Sequence, residues 1–162
     1  MSVLNEKTLI SCIENYLDKK QFQPAGIDLT LKEVHEIVSH GIVDFDNSKR
    51  KVSETKKINF DSEGKIFLPK GIYKVIYNEI VKIPKSAIAL GFTRSTLLRS
   101  GVSVECAVWD PGYVGRSESL LVVHNEKGII LYQNARIVQL IFIKLEEEAL
   151  RTYEGVYKNE NI

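Results

Sequence analysis

The sequence predicts a mainly β protein, a predominantly antiparallel β-sandwich or jelly-roll-like β-barrel with a short N-terminal helix. Three observations carry this. Strand-length apolar segments crowd the stretch from Ile66 to Leu145. Turn residues separate most of them, and strands do not alternate with helices as a parallel α/β sheet requires.

Taken in order, Leu4, Leu9, Ile10, Ile13, Tyr16 and Leu17 follow helical spacing, so an amphipathic helix is expected over Leu4–Lys20, with Asn5 as N-cap and Lys19 and Lys20 at its C-terminal dipole. Pro24-Ala25-Gly26 ends it. Ile27-Asp28-Leu29-Thr30-Leu31 alternates as a strand, which turns Asp28 to the face opposite the core. Residues 32–66 are polar and weakly patterned, with hairpin turns expected at Asp44–Ser48 and Asp61–Gly64. Strands then follow at Ile66–Leu68, Tyr73–Tyr77, Val81–Ile83, Ala87–Leu90, Val102–Val104, Leu120–Val123, Ile129–Tyr132 and Leu140–Leu145. Residues 1–152 form one β domain, and 153–162, lacking a core pattern, form a mobile tail.

The composition narrows function. A chain of 162 residues, 44% hydrophobic, suits one packed domain. With 22 basic against 21 acidic residues, no overall field draws a nucleic acid polymer or an anionic membrane, so any anion site is local. No apolar run approaches the ~20 residues of a membrane span, and no signal sequence begins the chain, so a soluble, cytoplasmic protein is expected. Cys12 and Cys106 lack metal-ligand spacing and read as small buried apolar residues. His35, His40 and His124 show no zinc spacing, and there is no P-loop or dinucleotide fingerprint.

Three polar clusters carry the chemistry. Arg94-Ser95-Thr96-Leu97-Leu98-Arg99 turns from a strand into a short helix and suits a phosphate, because guanidinium, hydroxyls and free helix amides all donate; it also reads as a plain capped helix with surface arginines. Asp110-Pro111-Gly112 has the residues of a type II turn, and beside Trp109 and Tyr113 its carboxylate suits a nucleoside or an activated water. Arg136 and Gln139 stand three apart, on opposite faces of a regular strand; Arg136 suits an acidic partner and Gln139 a phosphate.

These clusters, with Pro24-Ala25-Gly26-Ile27-Asp28-Leu29, Gln133–Gln139 and Tyr153-Glu154-Gly155-Val156-Tyr157, occur in an order that resembles the superfamily of dUTPases and dCTP deaminases, particularly its archaeal members. The resemblance runs from the N-terminal segment to the tail. It narrows the fold to a distorted, dUTPase-like barrel of the β-clip kind, and implies a homotrimer with active sites between subunits, a deoxyribonucleoside triphosphate substrate, and Mg²⁺ held by substrate phosphates rather than by direct protein ligation. Deaminases of the superfamily carry a glutamate on the strand after the Asp110–Gly115 motif, where this chain has Val122, and valine transfers no proton. Glu118 replaces that glutamate only if a local bulge compensates.

By resemblance, then, Asp110 activates water for hydrolysis of dUTP to dUMP and pyrophosphate, and Asp28 supports the site. Arg94, Ser95, Thr96, Arg99 and Gln139 bind the triphosphate, backbone around Ala107 and Val108 reads the base, Tyr113 packs on the sugar, and Tyr153 and Tyr157 close the tail over the nucleotide. Two departures stand out. Ala107 occupies a position that is usually glycine in dUTPases, and the tail is closer to the deaminase branch. A dCTP deaminase, a bifunctional deaminase and dUTPase, and a non-catalytic nucleotide-binding trimer remain open alternatives.

Overall fold

A computed structural model describes residues 2–162. The chain begins with β1 (Ser2–Val3) and a single helical turn, α1 (Glu6–Leu9), in place of the helix expected to Lys20. Asn5 caps it as expected, its side chain accepting from the Thr8 N–H at 3.3 Å. The turn tightens to 3₁₀ over Ile10–Cys12 and then straightens, because β2 (Ile13–Glu14) pairs with a strand near residue 81 and buries Ile13. Tertiary strand pairing overrides the local helical pattern here. A second 3₁₀ turn at Lys19–Gln21 is closed by a capping box between Asp18 and Gln21.

Next come β3 (Phe22–Gln23), β4 (Gly26–Ile37), β5 (Thr55–Ile58), β6 (Lys65–Leu68), β7 (Gly71–Tyr77), β8 (Ile80–Lys82) and β9 (Ala87–Thr93). After α2 (Ser95–Arg99) follow β10 (Val102–Glu105), β11 (Val114–Gly115), β12 (Glu118–Val123), β13 (Ile129–Tyr132) and β14 (Arg136–Lys144). The main sheet runs β1-β14-β4-β7-β12-β10, with β3 and β5 added to β4 and β9 to β14. A second sheet, β11-β8-β2, and a β13–β6 ribbon complete it, and all of these pairings are antiparallel. The expected β architecture and the expected strand positions are therefore both present. No helix among the described residues is long and apolar enough to cross a membrane.

Strand β4 holds the sheet together: its first half pairs with β14 and its second with β7. Every residue from Gly26 to Leu31 is buried, so Asp28 does not face water as its alternation suggested. The chain passes so close that a Cβ on Gly26 would lie 2.2 Å from the Leu140 carbonyl oxygen, which explains the glycine. Residues 32–66 contain the Asp61–Gly64 turn as expected, with Gly64 at φ +73°. The loop from 38 to 54 is pinned by one bridge, Ile42 to Lys51, and leaves Val43 and Phe45 exposed.

A bulge in β14 changes the geometry of a functional cluster. Arg136 pairs with Thr30 but Val138 pairs with Leu29, so Ile137 is an extra residue. Gln139 is thereby placed opposite Asp28, two residues from Thr30 on the same face of β4. Arg136 and Gln139 therefore share a face, against the opposite-face reading of a regular strand.

Candidate functional site

The turn at Asp110 is built as its residues predict. Gly112 has φ +83° and the Tyr113 N–H reaches the Asp110 carbonyl at 3.1 Å, a type II turn with Pro at its second place. It is fastened to the body of the sheet by Gly112 N–H to Ile83 O and Ile83 N–H to Tyr113 O, at 2.9 and 2.8 Å. Just upstream, Trp109 and Ala89 exchange both backbone hydrogen bonds, which anchors the buried indole and fixes the direction of Ala107–Val108.

These elements frame a cleft of about 410 Å³. It is lined by Ala107, Val108, Trp109, Asp110 and Tyr113, by Ser117 and Glu118 at the entry to β12, and by Tyr153, Tyr157 and Glu160 of the tail. The tail is laid along the core rather than detached from it. The Tyr153 N–H donates to Pro111 O at 2.7 Å, and the Tyr153 ring meets Tyr113 edge-on at 5.7 Å. Gly112 is needed for this approach twice over, by its positive φ and because a Cβ there would stand 2.6 Å from Thr152 Cβ.

A second cluster lies apart from the cleft. Asp28 is 1% exposed, and its Oδ2 is 3.1 Å from Arg94 Nε and 3.3 Å from Arg136 Nη1. Burial pushes the Asp28 carboxyl upward, and the two guanidiniums oppose that shift. Arg136 also donates to the Lys20 carbonyl at 2.9 Å, and the Arg94 N–H to Ile137 O at 3.2 Å, so the bulge directly supports the start of α2. Ser95, Thr96 and Arg99 are exposed on α2, and Gln139 is half-buried beside Asp28.

One chain thus brings Asp110, Ala107, Val108, Tyr113, Tyr153 and Tyr157 together, and separately Asp28, Arg94 and Gln139 with Ser95 and Thr96 alongside. None of Asp28, Arg94, Ser95, Thr96, Arg99 and Gln139 lines the cleft. Among the described residues no group of three or more His, Cys, Asp or Glu side chains is placed to hold a metal ion.

Sequence reasoning passed over Glu79 and Glu160. Glu79 sits in the turn between β7 and β8, where a charged residue reads as solvent-facing, yet it is fully buried and accepts from Gln21 Nε2, Thr30 N and Thr30 Oγ1 at 2.7, 2.9 and 2.5 Å. Burial raises its carboxyl above the usual range. Glu160 accepts from the Tyr113 hydroxyl at 2.7 Å. Its signal in the sequence was the flanking Asn159 and Asn161, which adopt positive φ, a region asparagine tolerates.

Glu118 faces the cleft but is ion-paired with Lys74 at 3.0 Å. From Glu118 to Val123, β12 pairs one-to-one with β7 without a register shift, so no bulge there carries Glu118 toward the place of Val122. Cys12 is buried as expected; Cys106 is only partly buried, with Ser119 Oγ donating to its sulfur at 3.4 Å.

With the geometry in place, comparison with known proteins is informative. The dCTP deaminase-like family matches residues 3–145. Over 150 residues the chain is 54% identical to a Methanosarcina acetivorans protein named probable deoxyuridine 5'-triphosphate nucleotidohydrolase, spanning 92% of this chain and 88% of that one. It is 38% identical over 143 residues to the deoxyuridine 5'-triphosphate nucleotidohydrolase of Methanocaldococcus jannaschii, spanning 88% and 90%. Among solved structures, 2'-deoxycytidine 5'-triphosphate deaminase from Agrobacterium tumefaciens shares the fold, with a TM-score of 0.67 and 18% identity over 86% of this chain. This chain spans 47% of that deaminase.

Proposed function

Because the chain belongs to the dCTP deaminase-like family, we propose that it hydrolyses dUTP to dUMP and pyrophosphate, with Asp110 as the base, in the cytoplasmic nucleotide pool. The observation that carries this reading is the placement of Asp110 on a rigid turn at the cleft, between backbone able to read a pyrimidine edge and an aromatic ring able to pack on a sugar. A water held by Asp110 attacks the α-phosphorus. Its oxygen forms the new P–O bond, its proton passes to the carboxylate, and the bond to the β-phosphate bridging oxygen breaks to release pyrophosphate.

The triphosphate needs cations that the cleft of one chain does not contain. Arg94, with Ser95, Thr96, Arg99 and Gln139, supplies donors for it, and Asp28 holds Arg94 and Arg136 in position. The separation of these residues from the Asp110 cleft supports a homotrimer in which one subunit provides the water-activating half and its neighbour the phosphate-binding half. Tyr113 packs against the deoxyribose and disfavours a 2'-hydroxyl, while Tyr153 and Tyr157 cover the bound nucleotide. Among the described residues no group of His, Cys, Asp or Glu side chains would hold a metal ion of its own; Mg²⁺ carried by the substrate phosphates would add neutralisation of their charge to that supplied by Arg94 and Arg99.

One observation favours a second reading. Glu118 lines the same cleft and offers a carboxylate for the proton transfers of dCTP deamination, from a position four residues before Val122. The test serves both: purified protein with Mg²⁺ is given dUTP, dCTP and dTTP separately while pyrophosphate and ammonia are followed. Pyrophosphate from dUTP without ammonia from dCTP is expected. Ammonia from dCTP shows that Glu118 or another group serves the deaminase role, and dUTP binding without any product leaves a non-catalytic nucleotide-binding protein.

A further inference from the structure

Where the tail crosses β11 it places a carboxylate in the nucleotide cleft. The Asn159 N–H donates to Val114 O at 2.7 Å and the Arg116 N–H to Glu160 O at 3.0 Å, so the tail adds a short parallel bridge to the free edge of β11. Arg116 and Asn161 lock the end: Arg116 Nε donates to Asn161 O and Asn161 Nδ2 to Arg116 O, each at 3.0 Å. With Asn159 at φ +63° and Asn161 at φ +55°, the residue between them is turned toward Tyr113. Gly115 permits the fit, since a Cβ there would stand 2.6 Å from the Tyr113 hydroxyl and 3.2 Å from Glu160 Cγ.

Three features set this docking against substrate. The Tyr113 hydroxyl, on the ring meant for the sugar, is committed to Glu160. Glu160 is half-buried and lines the same cleft as Asp110 and Glu118, so its negative charge faces the path of a triphosphate. Burial and the Glu118 charge push the Glu160 carboxyl upward, a sign that the docked position is costly for its ionised form. In the same cleft the Ser117 hydroxyl is buried and makes no hydrogen bond among the described residues.

We propose that Asn159–Asn161 is an autoinhibitory plug, in which Glu160 occupies Tyr113 in the free protein and leaves as the nucleotide enters. The proposal rests on the dUTP reading and divides the tail in two: Tyr153 and Tyr157 favour the bound state, and Glu160 opposes it. The apparent affinity is then lowered by the fraction of molecules that are plugged.

The decisive test pairs kinetics with amide hydrogen exchange. Glu160→Ala is expected to lower the dUTP KM by about three- to tenfold with kcat unchanged, the scale of one lost hydrogen bond in a population shift. Removing residues 153–162 is expected to raise KM instead. In a Tyr113→Phe background, where the anchor is gone, Glu160→Ala changes KM by less than in the unaltered protein. By exchange, the Asn159 and Arg116 amides are protected in the free protein and lose protection when the non-hydrolysable α,β-imido-dUTP is added. A rise in KM for Glu160→Ala, or protection that increases with the analogue, overturns the plug and makes the contact part of a closing lid. Exchange behaving as expected in a protein that releases no pyrophosphate from dUTP refutes the hydrolase reading while the plug stands.

Discussion

The two halves of the candidate site are built in different ways. The Asp28–Arg94–Arg136 cluster is mounted on β4, on β14 and on the junction of β9 with α2, and its charges are already paired within the chain. The Asp110 cleft is mounted on a tight turn, on the two-residue strand β11 and on a tail docked by a few hydrogen bonds. The buried Asp28 resists rearrangement, because separating it from the two partly exposed guanidiniums leaves a carboxylate unpaired in a low dielectric. Edge strands and surface turns open at little cost. On the proposed reading, the rigid half holds the phosphates, and the yielding half admits and covers the nucleoside.

The strongest break of this comparison comes at Asp110. Asp110→Asn is expected to lower kcat for dUTP roughly a thousandfold, within the range of a lost general base, while binding of α,β-imido-dUTP persists. Arg94→Ala is expected to lose activity through weak substrate binding. If the halves meet between subunits, mixing these two inactive variants under subunit exchange restores activity; continued silence places both halves in one chain.

Next in size is Asp28. Asp28→Ala takes the counter-charge from two partly exposed guanidiniums and is expected to cost about 1–2 kcal/mol of stability, measured by chemical denaturation. An unchanged midpoint contradicts the rigid-half assignment. Gly112→Ala acts on the yielding half: strain at positive φ and the clash with Thr152 displace the tail, so KM for dUTP is expected to change several-fold with the melting temperature falling by only a few degrees.

The smallest effect concerns Glu79. Its folded-state carboxyl lies above the ordinary value of 4.5, so the folded protein holds that proton more tightly than the unfolded chain does. Its contribution to stability is complete below 4.5 and is lost as pH rises through the raised folded value. Glu79→Gln removes this titration and is expected to flatten that part of the melting temperature against pH. A wild-type profile already flat there refutes the assignment.

How much of this was legible beforehand depended on the range of the interactions. The Asp110 turn was readable because Pro-Gly geometry is local, and Asn5 capped a helical turn for the same reason. The helix past Leu9 was misread, because the pull on Ile13 comes from Val81, far along the chain. The burial of Asp28 is not readable from alternation, because its second face is covered by Arg94 at the start of α2 and Arg136 of β14. The shared face of Arg136 and Gln139 depends on one extra residue in β14, and nothing in Ala135–Val138 announces a bulge. Glu160 was missed because a polar tail carries no periodicity.

The amino-acid sequence by itself determined the β architecture, the strand positions, the type II turn and the ordered motifs that align the chain with its relatives, since each follows from alternation, turn chemistry or residue identity over a few positions. Only the tertiary structure decided which charges meet around the buried Asp28, that one chain leaves Arg94, Ser95, Thr96 and Gln139 away from the Asp110 cleft, and that Glu160 lies against Tyr113. Those outcomes depend on register and on close approach between distant segments, where displacement by a single residue reverses the face on which a side chain lies.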